Sequence, residues 1–305
     1  MREWWRDLTD LVLPAECGGC GRARSVLCPR CRTALSGAAP CRVRPVPEPP
    51  GLPVVHAAAR YADEVRAALL AHKERGVLAL TAPLGVALAG AVRVGLGEVW
   101  TRGRGPRAGV REGEAAVRAR GPVLLVPVPS ARRAVRTRGH DPARRIALAA
   151  AGELRRTGTP ARVLAVLRQR HAVADQSGLG ARQRLDNLAG ALAVVTGGGR
   201  LLCGGGPVVL VDDLMTTGAS LTEAARVLRA ATAGEKPCVS ERTTGPGTYW
   251  TAKSAVYPAA AGEGREERKA GPRMAGPNGG GGVIGEVICA AVVAASPDSF
   301  ELNRN

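Results

Sequence analysis

The stretch "PVVLVDDLMTTGASL", Pro207 to Leu221, decides how the chain is read. A short apolar run ends in two carboxylates, Asp212 and Asp213, and a small donor-rich turn leads into the amphipathic "ASLTEAARVLRAA". Apolar run, turn and helical period together predict strand, loop and helix. In an open parallel sheet, ligands bind beyond the C-terminal strand ends, and this strand delivers Asp212 and Asp213 to that edge. The following helix would offer unpaired N–H groups and a positive dipole end to a phosphate. Thr216, Thr217 and Ser220 add hydroxyl donors, and Gly218 lets backbone approach an anion closely.

Carboxylates directly before a phosphate cradle would repel a polyphosphate laid over them, but they accept well from two vicinal sugar hydroxyls. A ribose 5-phosphate fits both halves. An apolar strand ending in Asp-Asp also resembles a Walker B element, but the chain contains no G-x-x-x-x-G-K-[ST]. A dinucleotide fold needs G-x-G-x-x-G after a strand, whereas "CGGGP" (Cys203–Pro207) precedes one. A plain capped helix, with Thr216 or Thr217 as N-cap, accounts for one polar residue of the group rather than five.

Working outward, "VVHAAARYADEVRAALLAHKERG" predicts a short strand and a helix from about Asp63, with Val65 and Leu69 on one face and Gly76 as its stop. An apolar helix follows from roughly Val77 to Val94. Beyond the Gly/Arg-rich "GRGPRAGVREGEAAVRARG", read as a basic, mobile insertion, come strand "VLLVPVP", helix "PARRIALAAAGELRR", strand "ARVLAVL", an arginine-rich loop and strand "AGALAVV". A last strand, "EVICAAVVAAS", follows a Gly- and Pro-rich stretch expected to be disordered. Short apolar runs alternating with amphipathic helices predict an α/β fold with a mainly parallel sheet flanked by helices.

Four of the eight cysteines fall in "CGGC" (Cys17, Cys20) and "CPRC" (Cys28, Cys31) near the start of the 305-residue chain. Two such knuckles seven residues apart bring four thiolates within reach of one tetrahedral centre, for which zinc is the expected occupant in a reducing compartment. The Pro-rich "CRVRPVPEPPGLPVV" reads as an extended linker. The expected organisation is a cysteine module over 1–45 and a main domain over 54–305 with insertions near 97–121 and 234–282.

The net charge of +17 either attracts polyanions or forms a solvated basic face. Aromatic residues at 3% leave few base-stacking candidates. No window reaches the ~18 uninterrupted apolar residues of a membrane span, and the N-terminus is acidic and aromatic where a signal peptide is basic and apolar, so a cytoplasmic protein without a transmembrane segment is expected.

The signature "VVLVDDLMTTGASL" resembles the ribose-phosphate motif of type I phosphoribosyltransferases, which bind 5-phosphoribosyl-1-diphosphate (PRPP) with Mg²⁺. With the cysteine cluster, "HKERG" (His72–Gly76), "PVPSARRAVRTRGH" from Pro127 and "ADQSGLGARQRLDN" to Asn187 occurring in order, the chain is similar to the ComF family, in which a zinc ribbon precedes a phosphoribosyltransferase-like domain. The resemblance implies that Asp212, Asp213, Thr216, Thr217, Gly218 and Ser220 hold ribose and 5-phosphate. It implies that Lys73, Arg132, Arg133 and Arg138 hold pyrophosphate, and that Gln176, Arg184 and Asn187 belong to a hood over the ligand. Where relatives read Arg-Gly-Phe-Asn-Gln, this chain has Arg138, Gly139, His140, Asp141 and Pro142. Asp141 and Pro142 suit the start of a helix, and His140 reads as a packed surface residue rather than a general base. The expected activity is phosphoribosyl transfer to an unidentified acceptor, with Asp212 and Asp213 as catalytic residues. The alternative is a non-catalytic PRPP-binding accessory protein that contacts single-stranded DNA or competence proteins.

Overall fold

The computed structural model describes residues 16–102, 121–170, 183, 187–203, 206–233 and 287–303, all within one compact unit. In order these form α1 (Pro29–Ser36), β1 (Cys41–Val43), β2 (Val55–Arg60), α2 (Asp63–Lys73), a 3-10 turn (Leu78–Leu80), α3 (Thr81–Arg102), β3 (Val123–Pro127) and α4 (Arg132–Arg138). They continue as α5 (Pro142–Arg156), β4 (Ala161–Val163), β5 (Leu167–Gln169), β6 (Leu192–Val194), α6 (Gly198–Cys203), β7 (Val208–Met215), α7 (Ala219–Ala233), β8 (Val287–Ala295) and a closing 3-10 segment (Pro297–Asn303).

Six strands form one sheet in the order β1-β2-β8-β7-β3-β4, parallel throughout except for the antiparallel edge strand β1. This is the expected α/β fold. Parallel strands are covered on both faces, which is why β3, β7 and β8 read as nearly continuous apolar runs. Side chains alternate between faces. Val123, Leu125, Val209, Val211 and Ala291 join a core with α2, α3, α5 and the cysteine knuckles, while Leu124, Val126, Val208, Leu210 and Val292 pack with α7 and the closing segment.

Helix α5 forms because Ile146, Ala147, Ala150, Ala151 and Leu154 recur at helical spacing and are all buried. Asp141 caps it by accepting from the Arg144 N–H at 3.2 Å, and Pro142 occupies its first turn, as the sequence predicts. Each large apolar side chain sealed this way contributes about 2 kcal/mol. Where α3 crosses α5 the helices nearly touch, since a Cβ on Gly85 would lie 2.4 Å from the Ala149 Cβ.

Several expectations are corrected. The run "ARVLAVL" is not one strand: β4 takes its first three residues, and its last, Leu167, opens β5, which leaves the main sheet to pair antiparallel with β6. Cys41–Val43, within the presumed linker, pairs with β2 as an edge strand, because its backbone finds partners there. Helix α3 runs to Arg102, into the stretch assigned to the first insertion; residues 103–120 and 234–282 lie outside the described residues, as does the N-terminal segment. Cys17, Leu27, Cys28, Cys31 and Leu35 of the cysteine module share a core with α2 and α3. Among the described residues, Leu78–Thr101 is long and apolar enough to cross a membrane by composition, and 56% of that window is buried against the rest of the fold.

Candidate functional site

Strand β7 continues two residues past the acidic pair, to Met215, so Asp212 and Asp213 stand on the pleat and point to opposite faces. Asp213 falls on the side of Val211 and α2, which brings it to Lys73: Nζ donates to Oδ2 at 2.9 Å and to Oδ1 at 3.3 Å. Asp213 is buried and Asp212 half-buried, and Asp212 Oδ1 accepts from the Asp213 N–H at 2.8 Å. Burial, and after it the charge of Asp213, push the Asp212 carboxyl well above the ordinary carboxylate range. Burial alone would lower Lys73, but Asp213 and Asp212 outweigh it and hold the ammonium above its usual value.

These groups line a cleft of about 480 Å³ at the C-terminal edge of β3 and β7. It also takes in Arg138, Thr216 and Ser220. Arg138 lies at the end of α4 and grips Glu74 with both arms, Nη2 to Oε1 at 2.8 Å and Nε to Oε2 at 3.0 Å. Two consecutive residues at the end of α2 therefore engage two walls, Lys73 reaching β7 and Glu74 reaching α4.

Thr217 and Gly218 do not line the cleft among the described residues. Gly218 has φ +75° and precedes α7, and a Cβ there would meet Leu52 at 3.1 Å, so the turn and the packing behind it require glycine. Arg132 and Arg133, at the start of α4, are exposed and do not line the cleft. Gln176 and Arg184 lie outside the described residues; Asn187 is described, and its neighbours Leu188 and Leu192 do line the cleft.

Sequence reasoning missed three contributors. Ser130 is seated by Asp141, its hydroxyl donating to Oδ1 at 3.3 Å, and Gln169 enters from β5. Glu74 was visible inside "HKERG", but nothing in that motif identifies its partner. His140, expected as a packed surface residue, is instead buried at 8% exposure, wedged between α2 and α4 with both ring nitrogens near carbonyls at the ends of those helices.

The second constellation is Cys17, Cys20, Cys28 and Cys31, whose sulfurs all lie within 4.8 Å of one another. A tetrahedral zinc with bonds of ~2.3 Å spaces its sulfurs ~3.8 Å apart, so the set could hold a structural zinc ion. Backbone N–H groups already face the thiols: Cys28 N–H donates to Cys17 Sγ at 3.3 Å. Burial pushes the Cys17 thiol up, but the backbone donors of Cys20, Cys28 and Gly19 together hold it down to about 6. Pro29 opens α1, and Arg30 of that helix pairs with Glu64 of α2. Cys41, in β1, stands outside the cluster. No family model matches the chain, and no curated protein matches it.

Proposed function

We propose that the cleft binds PRPP with Mg²⁺ and transfers its phosphoribosyl group to an acceptor. The observation that carries this is one cleft in which a strand-end carboxylate pair stands beside Thr216 and Ser220 at the start of α7 and also beside the cations Lys73 and Arg138. Carboxylates suit ribose hydroxyls, a helix start with hydroxyls suits the 5-phosphate, and paired cations suit a departing diphosphate.

In the reaction the acceptor's lone pair forms a bond to ribose C1 while the C1–O bond breaks, its electrons leaving on pyrophosphate. Lys73 and Arg138 stabilise the growing negative charge, and Asp212 and Asp213 the oxocarbenium-like carbon. Bound Mg²⁺ would screen the diphosphate, and Asp212, to which no cationic side chain is bonded among the described residues, is the carboxylate that would hold it. The resemblance to the ComF family supports the same reading, with the four thiols as a closed structural zinc site.

Calorimetry with PRPP, with and without Mg²⁺, tests it. Binding should require Mg²⁺ and be lost in Asp212→Asn, Asp213→Asn; retained affinity in that double variant would overturn the proposal.

A second reading is favoured by one observation: no aromatic side chain lines the cleft among the described residues, so no slot for a stacked nucleobase is evident. The pocket would then sense PRPP without turnover, and the basic surface would contact single-stranded DNA or competence proteins. Pyrophosphate release from PRPP in the presence of nucleobases or amines supports transfer, whereas binding without release supports sensing.

A further inference from the structure

His140 lies where the ends of two helices meet the cleft. Its Nδ1 is 3.1 Å from the Arg138 carbonyl and its Nε2 is 3.2 Å from the His72 carbonyl. A helix leaves its last carbonyls without intrahelical donors. At the end of α2, the Leu70 carbonyl accepts from Glu74 and Arg75, the Ala71 carbonyl accepts from Val77, and His72 is served by His140. At the end of α4, the N–H of Gly139 turns back to Val135, and the Arg138 carbonyl meets the other ring nitrogen.

Carbonyls only accept. Two of them therefore ask for an N–H on each ring nitrogen, and only the imidazolium carries both. A neutral ring would set a lone pair against one carbonyl in a buried place, where unmade hydrogen bonds are costly. A cation is also favoured beside helix C-termini. The neighbouring His72 ring, edge-on at 5.6 Å, meets Thr81 Oγ1 at 3.1 Å through Nε2. Burial foremost, and then the charge of His140, hold it down to about 4, so it stays neutral.

The charged groups around this pair are Lys73 on α2, Arg138 and Asp141 beside His140 in the chain, Arg145 on α5 and Asp213 on β7. Lys73 is already paired with Asp213, and Arg138 with Glu74. The two carbonyls His140 meets belong to Arg138 itself and to the residue before Lys73, so its grip acts on the two cations of the cleft.

We propose that His140, as an imidazolium donating to both carbonyls, is a positioning residue that sets Lys73 and Arg138 for a diphosphate. The diphosphate half of this rests on the PRPP reading; the clamp itself does not.

The test uses the full chain with inorganic pyrophosphate and Mg²⁺ as the probe. Side-chain ¹H–¹⁵N spectra at neutral pH should show a proton on both nitrogens of His140; a ring with one proton overturns the clamp. His140→Phe should weaken pyrophosphate binding roughly tenfold, and in a Lys73→Met, Arg138→Met background the same change should shift affinity by less than about twofold. An undiminished effect in that background overturns the positioning role. His140→Gln, whose donors all sit on one nitrogen, should fall between wild type and Phe, and it serves if the Phe variant does not fold; wild-type affinity in the Gln variant would also overturn the proposal. If wild type binds no pyrophosphate, the diphosphate reading falls. The clamp is then decided by the ring spectrum and by whether His140→Gln displaces the Lys73 ammonium resonance.

Discussion

Replacing Lys73 with methionine keeps most of the side chain's length and removes the ammonium that Asp213 accepts from at 2.9 Å. At that separation, with an effective dielectric near 20, the gross attraction is about 6 kcal/mol. The Asp213 side chain is only 7% exposed, so desolvation offsets most of the attraction. What remains should be a coupling of about 2 kcal/mol between the two residues. The single substitution should cost more, about 3 kcal/mol, because it strands a buried carboxylate beside Asp212. Arg138 cannot take over, being held by Glu74. Urea unfolding of wild type, Lys73→Met, Asp213→Asn and the double variant gives the cycle, provided the m-value stays constant. A coupling under about 0.5 kcal/mol, or a Lys73→Met cost no larger than an ordinary surface change, would refute the argument.

Asp212 is raised in the fold, so its protonated form contributes stability that is complete below the ordinary carboxylate range and is lost as pH rises through the raised value. Asp212→Asn should therefore exceed wild type in urea midpoint near pH ~7 and converge on it near pH ~4; a constant gap would contradict this. Gly85→Ala, which puts a Cβ 2.4 Å from that of Ala149, should cost about 2 kcal/mol in thermal unfolding, and Ala149→Gly in the same chain should recover part of it. Wild-type protein should carry about one zinc per chain and Cys28→Ser markedly less; equal zinc in both by metal analysis would remove the assignment.

Local chemistry was legible and distant pairing was not. The bounds of α5 could be read directly because Asp141, Pro142 and a helical repeat of buried residues all act within a few positions. The acidic pair and its turn were visible for the same reason. That Asp213 is met by Lys73, 140 positions away, depends on which face of β7 each carboxylate takes, and so on the sheet's covering. The end of β4 at Val163 and the start of β5 at Leu167, in a different sheet, are likewise decided by the neighbours each strand finds, since the residues from Val163 to Leu167 are apolar throughout. Helix α4 has no buried residue, so it carries no hydrophobic period to read.

Strand β8 is the last strand along the chain and lies in the middle of the sheet, between β2 and β7. Until it is synthesised, the ribbon β1-β2 and the ribbon β7-β3-β4 share no hydrogen bonds, and each presents a bare apolar edge of the kind that invites pairing with other chains. On the ribosome, the platform carrying Asp212 and Asp213 must therefore wait for residues 287–295 before it is braced on both sides. A stop codon placed before Val287 would leave every residue of the cleft encoded and the sheet beneath it in two pieces.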